Sequence, residues 1–137
     1  MEADDQRAGS CLPAAAVALF GAAGGTLAWA LTVRARAYCD VYFDAGAVFA
    51  FNFLSPLYAG VPAVLAVLAW RLGRRPAAAL TASPAGRVAL RVLLVVVVTV
   101  GLVWVVFAYQ GTPAGEPGIG RCPASNVPPW WPGWIPA

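Results

Sequence analysis

Apolar residues in this chain do not alternate with polar ones at strand or helix spacing. They run on in three long blocks, separated by arginine-bearing or aromatic stretches. Each block is close to the ~20 residues that cross a ~30 Å hydrocarbon core. The pattern predicts membrane spans at 12–33, 45–70 and 88–109. The first has no ionisable side chain, and at ~1.5 Å per residue it reaches about 33 Å as a helix. The third contains Val95, Val96, Val97 and Val98 in a row, a composition that by propensity alone suits a strand. Length and solvent decide otherwise. A lone strand in lipid leaves its amides unpaired at several kcal/mol each, whereas a helix pairs them internally. A barrel needs segments of about ten residues with apolar and polar positions alternating, and no such alternation occurs.

Between and beyond the spans the pattern leaves a short N-terminus (1–11), a loop at 34–44, an arginine-rich loop at 71–87 and a tail at 110–137. Seven prolines and five glycines fall within the tail, which rules out a fourth helix and predicts an extended or turn-rich arm. Composition agrees with the pattern. The 137 residues are 61% hydrophobic and 11% charged, where a soluble domain carries roughly a quarter charged residues. Disordered chains have the opposite balance. The expected fold class is an all-α membrane protein of three transmembrane helices with a Pro/Gly/Trp-rich C-terminal arm.

Charge sets the expected orientation. The nine basic residues are all arginines, and the positive-inside rule counts them in short flanking loops. With the N-terminus inside, the inner side holds Arg7, Arg71, Arg74, Arg75, Arg87 and a snorkelling Arg91, against Arg34, Arg36 and Arg121 outside. The expectation is N-in and C-out. Arg71, Arg74, Arg75 and Arg87 are therefore read as topology determinants that also meet anionic lipid at ~1 kcal/mol each. A competing reading makes the first block a secretory signal, with Ala35 and Ala37 before a cleavage site at Tyr38. It is disfavoured because the block exceeds the usual 7–15-residue signal core and arginines crowd the site.

This topology puts Cys39 and Cys122 in the same outer compartment and leaves Cys11 on the other side. Outer compartments are oxidising, so a Cys39–Cys122 disulfide is expected. The outer loop also carries Asp40 and Asp44, which are read as partners of Arg34 and Arg36 worth ~0–1 kcal/mol. Two carboxylates are too few for Ca²⁺, which takes six to eight oxygens. Trp130, Trp131 and Trp134 end the arm on a proline-stiffened backbone. Two roles suit them: lying at the headgroup level of the membrane, or docking onto a protein partner, where tryptophan is a frequent hot spot.

Within the membrane, Gly21 and Gly25 form a GxxxG pair that lets another helix approach closely, either one of this chain or a second copy. Pro56 and Pro62 predict a kinked second span, with Asn52 hydrogen-bonding to a neighbouring helix. The sharper reading of that span is a broken transporter helix whose freed carbonyls make a site.

Several classes lose support. The chain has no histidine, no phosphate-binding glycine loop, no metal-ligand spacing, no CxxC and no nucleophile beside a base. No catalytic, cofactor or metal site is identified, no small-molecule substrate either, and the basic face is too small for nucleic acid. The arginine-for-lysine usage with many alanines, glycines and prolines reads as bacterial, hence a plasma-membrane protein. The expected role is an accessory or interaction subunit of a membrane complex. The bilayer is one partner, and a membrane protein or a second copy the other. The alternative is a small transporter or channel component formed by oligomerisation.

Overall fold

The protein is described from a computed structural model. It covers residues 2–39, 45–111, 122 and 127–135, with the side chains of 2–12, 47 and 50 outside the description. Among these residues all regular structure is helical: α1 (Glu2–Tyr38), α2 (Ala45–Phe53), α3 (Ser55–Leu72), α4 (Arg74–Leu80) and α5 (Pro84–Val106), the last continued by a π-helical turn, Phe107–Gly111. Three stretches are long and apolar enough to cross a membrane: Pro13–Tyr38, Ser55–Leu72 and Pro84–Gly111.

The bounds differ from the sequence expectation in ways that matter for the site. The first helix runs to Tyr38 and not only to Val33, so Arg34 and Arg36 ride on its last turns instead of lying in a loop. No glycine, proline or capping residue stands between Val33 and Tyr38 to end it. The 45–70 block is two helices, broken at Leu54, rather than one kinked span. Pro56 sits in the first turn of α3, where its missing N–H costs nothing. The inner loop contains α4. Finally, α5 starts at Pro84, behind an N-cap in which the Ser83 hydroxyl accepts from the Gly86 amide at 3.0 Å, so Arg87 and Arg91 are both helical.

Packing is ordered by small residues. α1 lies chiefly against α3, and α5 packs on both. Gly21 faces Pro62 and Ala66, where an added Cβ would stand 2.5 Å from the Pro62 carbonyl oxygen and 2.8 Å from the Ala66 Cβ. Gly24 meets Thr99 of α5, and Gly25 meets the Tyr58 carbonyl. Glycine in a helix costs up to about 1 kcal/mol relative to alanine, and here the close approach of two backbones offsets it. These contacts, with Val17 beside the Trp70–Val95 cluster, show α1 and α5 running parallel and α3 antiparallel to both. We call the end where α1 and α5 finish the upper end. The core is small (Ala66, Ala69, Trp70 and Val95), while Leu19, Leu27, Val64, Val97 and Val100 point outward. That inversion suits a bundle whose surroundings are hydrocarbon.

Candidate functional site: the upper end of the bundle

Long-range bonds gather at the upper end. Its helices finish there with orphan carbonyls that need donors. Arg36, only 8% exposed, donates from Nε to the backbone carbonyl of Gln110 at 2.6 Å. A cation thus sits on the C-terminus of α5, the favourable end of the helix dipole for positive charge. The same guanidinium lies 5.5 Å from the ring centroid of Phe51. The Gln110 side-chain oxygen in turn accepts from the Tyr58 hydroxyl of α3. Arg36, Gln110 and Tyr58 therefore join α1, α5 and α3 through one polar chain. Trp29 adds α2, donating from Nε1 to the Phe51 carbonyl at 3.3 Å.

Above this network stands the disulfide. Cys39, fully buried, is bonded to Cys122 with a Cα–Cα distance of 5.2 Å, inside the usual 4.4–6.8 Å range. It returns the chain to the bundle after a separation of 83 residues. The described part of the arm then forms two successive turns, with the Trp131 amide bonded to the Pro128 carbonyl and the Ile135 amide to the Pro132 carbonyl, both at 2.9 Å. Trp131 Nε1 donates to the Ile135 carbonyl at 3.0 Å.

The three tryptophans do not share one environment. Trp131 stacks on the buried Phe107 ring of the π-helical turn, with centroids 3.9 Å apart and an interplanar angle of 19°. Trp130 meets Trp131 edge-on at 6.4 Å and has the Arg34 guanidinium 5.9 Å from its centroid. Trp134 is 83% exposed. Between the arm and α5 runs an apolar trough of about 500 Å³, lined by Val100, Trp104, Trp131, Trp134 and Ile135 among others. Beneath Gln110, a second cleft of about 230 Å³ opens between α1, α3 and α5, bounded by Gly25, Ala28, Leu57, Pro62 and Val106, with Tyr58 at its polar end.

Several expected site residues have other roles. Gly21 and Gly25 are covered by α3, so this face of α1 is an internal seam and is not open to a second copy. Asn52 does not reach a neighbouring helix: its Nδ2 donates to the Val48 carbonyl of its own helix at 2.8 Å. The carbonyls that Pro56 and Pro62 deprive of their usual donors also have contacts. Asn52 O accepts from Ser55 Oγ at 2.7 Å, and the Tyr58 carbonyl lies against Gly25. Asp40, Asp44 and Arg121 lie outside the described residues.

The lower end is built differently. Arg91 donates from Nε to the Trp70 carbonyl at 3.0 Å, with its guanidinium 3.5 Å from that indole's centroid. Arg87 donates to the Thr81 carbonyl at 3.1 Å. Arg71, Arg74 and Arg75 are exposed and form no hydrogen bond or ion pair among the described residues. Two buried hydroxyls, Thr32 Oγ1 and Thr99 Oγ1, have no hydrogen-bond partner among the described residues. The roles of Arg36, Gln110, Tyr58 and Phe107 were not foreseen from the sequence, because each depends on a residue far away in the chain. Gln110 could have been singled out as an uncharged polar residue at the end of an otherwise apolar block. Comparison with protein-family models, with characterised proteins and with solved structures finds no match to this chain, so its function is argued from its own residues.

Proposed function

We propose that this three-span membrane protein is an accessory subunit of a membrane complex, and that its C-terminal arm is the docking element. One observation carries the reading: Trp134 is almost fully exposed on a backbone held by the Cys39–Cys122 bond and the Phe107–Trp131 stack. A large aromatic side chain on a pre-ordered segment loses little conformational freedom on binding, which is the economy that makes tryptophan a hot-spot residue. An arm serving only as a lipid anchor has no need of a disulfide to hold its angle.

The proposed orientation is N-in and C-out in a bacterial plasma membrane. Arg34 and Arg36 weigh against it when arginines are merely counted, but both are engaged by protein groups, Trp130 and the Gln110 carbonyl respectively. The arginines without a bond among the described residues are Arg71, Arg74 and Arg75, which supports the assignment. The transporter reading loses support, since the Asn52 carbonyl accepts from Ser55 Oγ and the Tyr58 carbonyl is packed against Gly25.

The test is mild-detergent purification of the full-length protein at native abundance, comparing wild type with Trp134→Ala and identifying stoichiometric companions by mass spectrometry. The expected result is a membrane-protein companion that is lost or reduced at least about tenfold in the variant, the 1.4 kcal/mol or more expected of a hot-spot residue. Purification as a monomer or homo-oligomer, identical in both forms, would overturn the accessory role.

A further inference from the structure

The cleft of about 230 Å³ beneath Gln110 is walled by α3 and α5 and floored by α1. On α3, Leu54, Leu57, Tyr58 and Val61 follow the i, i+3, i+4, i+7 spacing of one helix face. Leu102, Val103 and Val106 form the facing wall, and Gln110 stands at its end. From α1 the floor receives only Gly25 and Ala28, so space remains where larger side chains would fill it. Along α5 the cleft extends for about 12 Å. Leu54, Leu57 and Val61 are 41%, 55% and 50% exposed, and the last two belong to the membrane-crossing length of α3. The cleft therefore communicates with the hydrocarbon.

Its polar side chains lie at one end and are uncharged. Among the described residues only Tyr58 and Gln110 supply them. The Tyr58 hydroxyl donates to Gln110 Oε1, and the Gln110 backbone carbonyl accepts from Arg36. Both oxygens of Gln110 are thus used, while the two N–H bonds of its side-chain amide have no acceptor among the described residues. An unspent donor at the end of an apolar cleft recognises an acceptor. Arg36 does not line the cleft, is only 8% exposed and is already bonded to Gln110, so the recognised head has no cation to meet and is itself uncharged. The π-helical turn that carries Gln110 is a distortion found frequently at functional sites. Size narrows the ligand further. A dry apolar cavity of about 150 Å³ holds a benzene ring, so this cleft accommodates one ring with its substituents.

We propose that this cleft binds a prenylquinone, with a ring carbonyl accepting from the Gln110 side-chain amide, the ring over Gly25 and Ala28, and the isoprenoid tail leaving past Leu57 and Val61 into the hydrocarbon. Four features select this class together. The ligand is lipid-soluble because the cleft meets hydrocarbon, uncharged because the lining is, an acceptor because a donor is unspent, and flat because the floor has no long side chain. A phospholipid also offers an ester carbonyl, but its phosphate would then stand beside Gln110 with no cation lining the site. The site is one of binding, and it does not depend on the arm or on the accessory role.

The experiment uses the full-length protein in dodecylmaltoside, with decylubiquinone as the probe and decylbenzene as its carbonyl-free counterpart. Binding is read from the rise of the thermal midpoint, followed by far-ultraviolet circular dichroism and titrated to an apparent Kd. Wild type is expected to bind decylubiquinone at least about tenfold more tightly than decylbenzene, the margin of one hydrogen bond in an apolar site. Gln110→Met keeps the backbone carbonyl for Arg36 and removes the amide donor, and it should erase that margin. Val61→Phe, at an exposed wall residue, should fill the cleft and weaken both probes with Gln110 intact. Resistance of Cys39 and Cys122 to alkylation verifies that each variant has folded. Should Gln110→Met fail that check, Val61→Phe and the pair of probes still decide. Equal binding of the two probes by wild type, a margin that survives Gln110→Met, or an equal rise with phosphatidylcholine in place of decylubiquinone would overturn the quinone site. Undiminished decylubiquinone binding in Val61→Phe would put the ligand elsewhere and overturn it as well.

Discussion

The two ends of the bundle carry the same kind of cation and treat it in opposite ways. At the upper end Arg36 is buried, and its Nε is used by the Gln110 carbonyl. At the lower end Arg71, Arg74 and Arg75 face outward with no bond among the described residues. The upper end is closed by links between distant parts of the chain: Cys39 to Cys122, Arg36 and Tyr58 to Gln110, Phe107 to Trp131. The lower end is closed over shorter separations, by the Ser83 cap, the Arg87–Thr81 bond and the Arg91–Trp70 bond across 21 residues. One end is thus built to hold a fixed shape and the other to offer charge. In a membrane protein an arginine gives this information through its partner more than through its presence.

The largest effect on this comparison is expected from the seam that makes both ends possible. Gly25→Leu would drive a branched side chain into the Tyr58 carbonyl and the Pro62 ring, separating α1 from α3 and opening the upper network with them. Overpacking of this kind costs about 3 kcal/mol. A fall of the thermal midpoint in detergent, followed by tryptophan fluorescence, should accompany it. Gly60, by contrast, has nothing within 4 Å of its would-be Cβ among the described residues, so Gly60→Ala should be neutral or stabilising by up to about 1 kcal/mol. Equal responses of the two positions would show that α1 and α3 do not meet through Gly25.

Much of the architecture was legible in the sequence, and the rest escaped it for physical reasons. The spans follow from run length against bilayer thickness, and the pairing of Cys39 with Cys122 from the compartment that an arginine count assigns to them. The extension of α1 to Tyr38 does not follow from run length, because Arg34 and Arg36 mark the end of the apolar block and not the end of the helix. A helix has no reason to stop where hydrocarbon stops. The break at Leu54 was masked by an apolar block in which Phe51, Phe53, Leu54 and Leu57 read as continuous, although Asn52, Ser55 and Pro56 already marked it. The Arg36–Gln110 bond joins residues 74 apart, and nothing local announces it.

A second, smaller effect should come from the disulfide. In the chain-entropy model a crosslink over a separation of 83 is worth about 4 kcal/mol. Helices already fixed in the membrane restrict both ends of that loop, so Cys39→Ser with Cys122→Ser should cost about 2 kcal/mol. The change should be concentrated at the upper end. Iodide quenching of tryptophan fluorescence should rise as Trp131 leaves Phe107. Unchanged quenching would mean that the Phe107 stack alone holds the arm.

A difference between two variants, smaller than the effect of either end as a whole, separates the arginines themselves. Arg36→Met keeps most of the side chain's length and apolar contact with Phe51 but removes the donor to Gln110. A charge-assisted hydrogen bond is worth about 1.5–3 kcal/mol, and its loss leaves a part-buried carbonyl without this donor, so a cost of about 2 kcal/mol is expected. Arg71→Gln removes an exposed charge that bonds to nothing among the described residues, and stability should move by no more than about 0.5 kcal/mol. Thermal midpoints of the two variants in the same detergent decide the matter. A larger loss at Arg71 than at Arg36 would mean that the lower end is a structural clamp, and the division of labour between the ends would fail. The opposite order would leave burial, not sequence position, as the property that separates an arginine holding the bundle together from one reserved for the membrane.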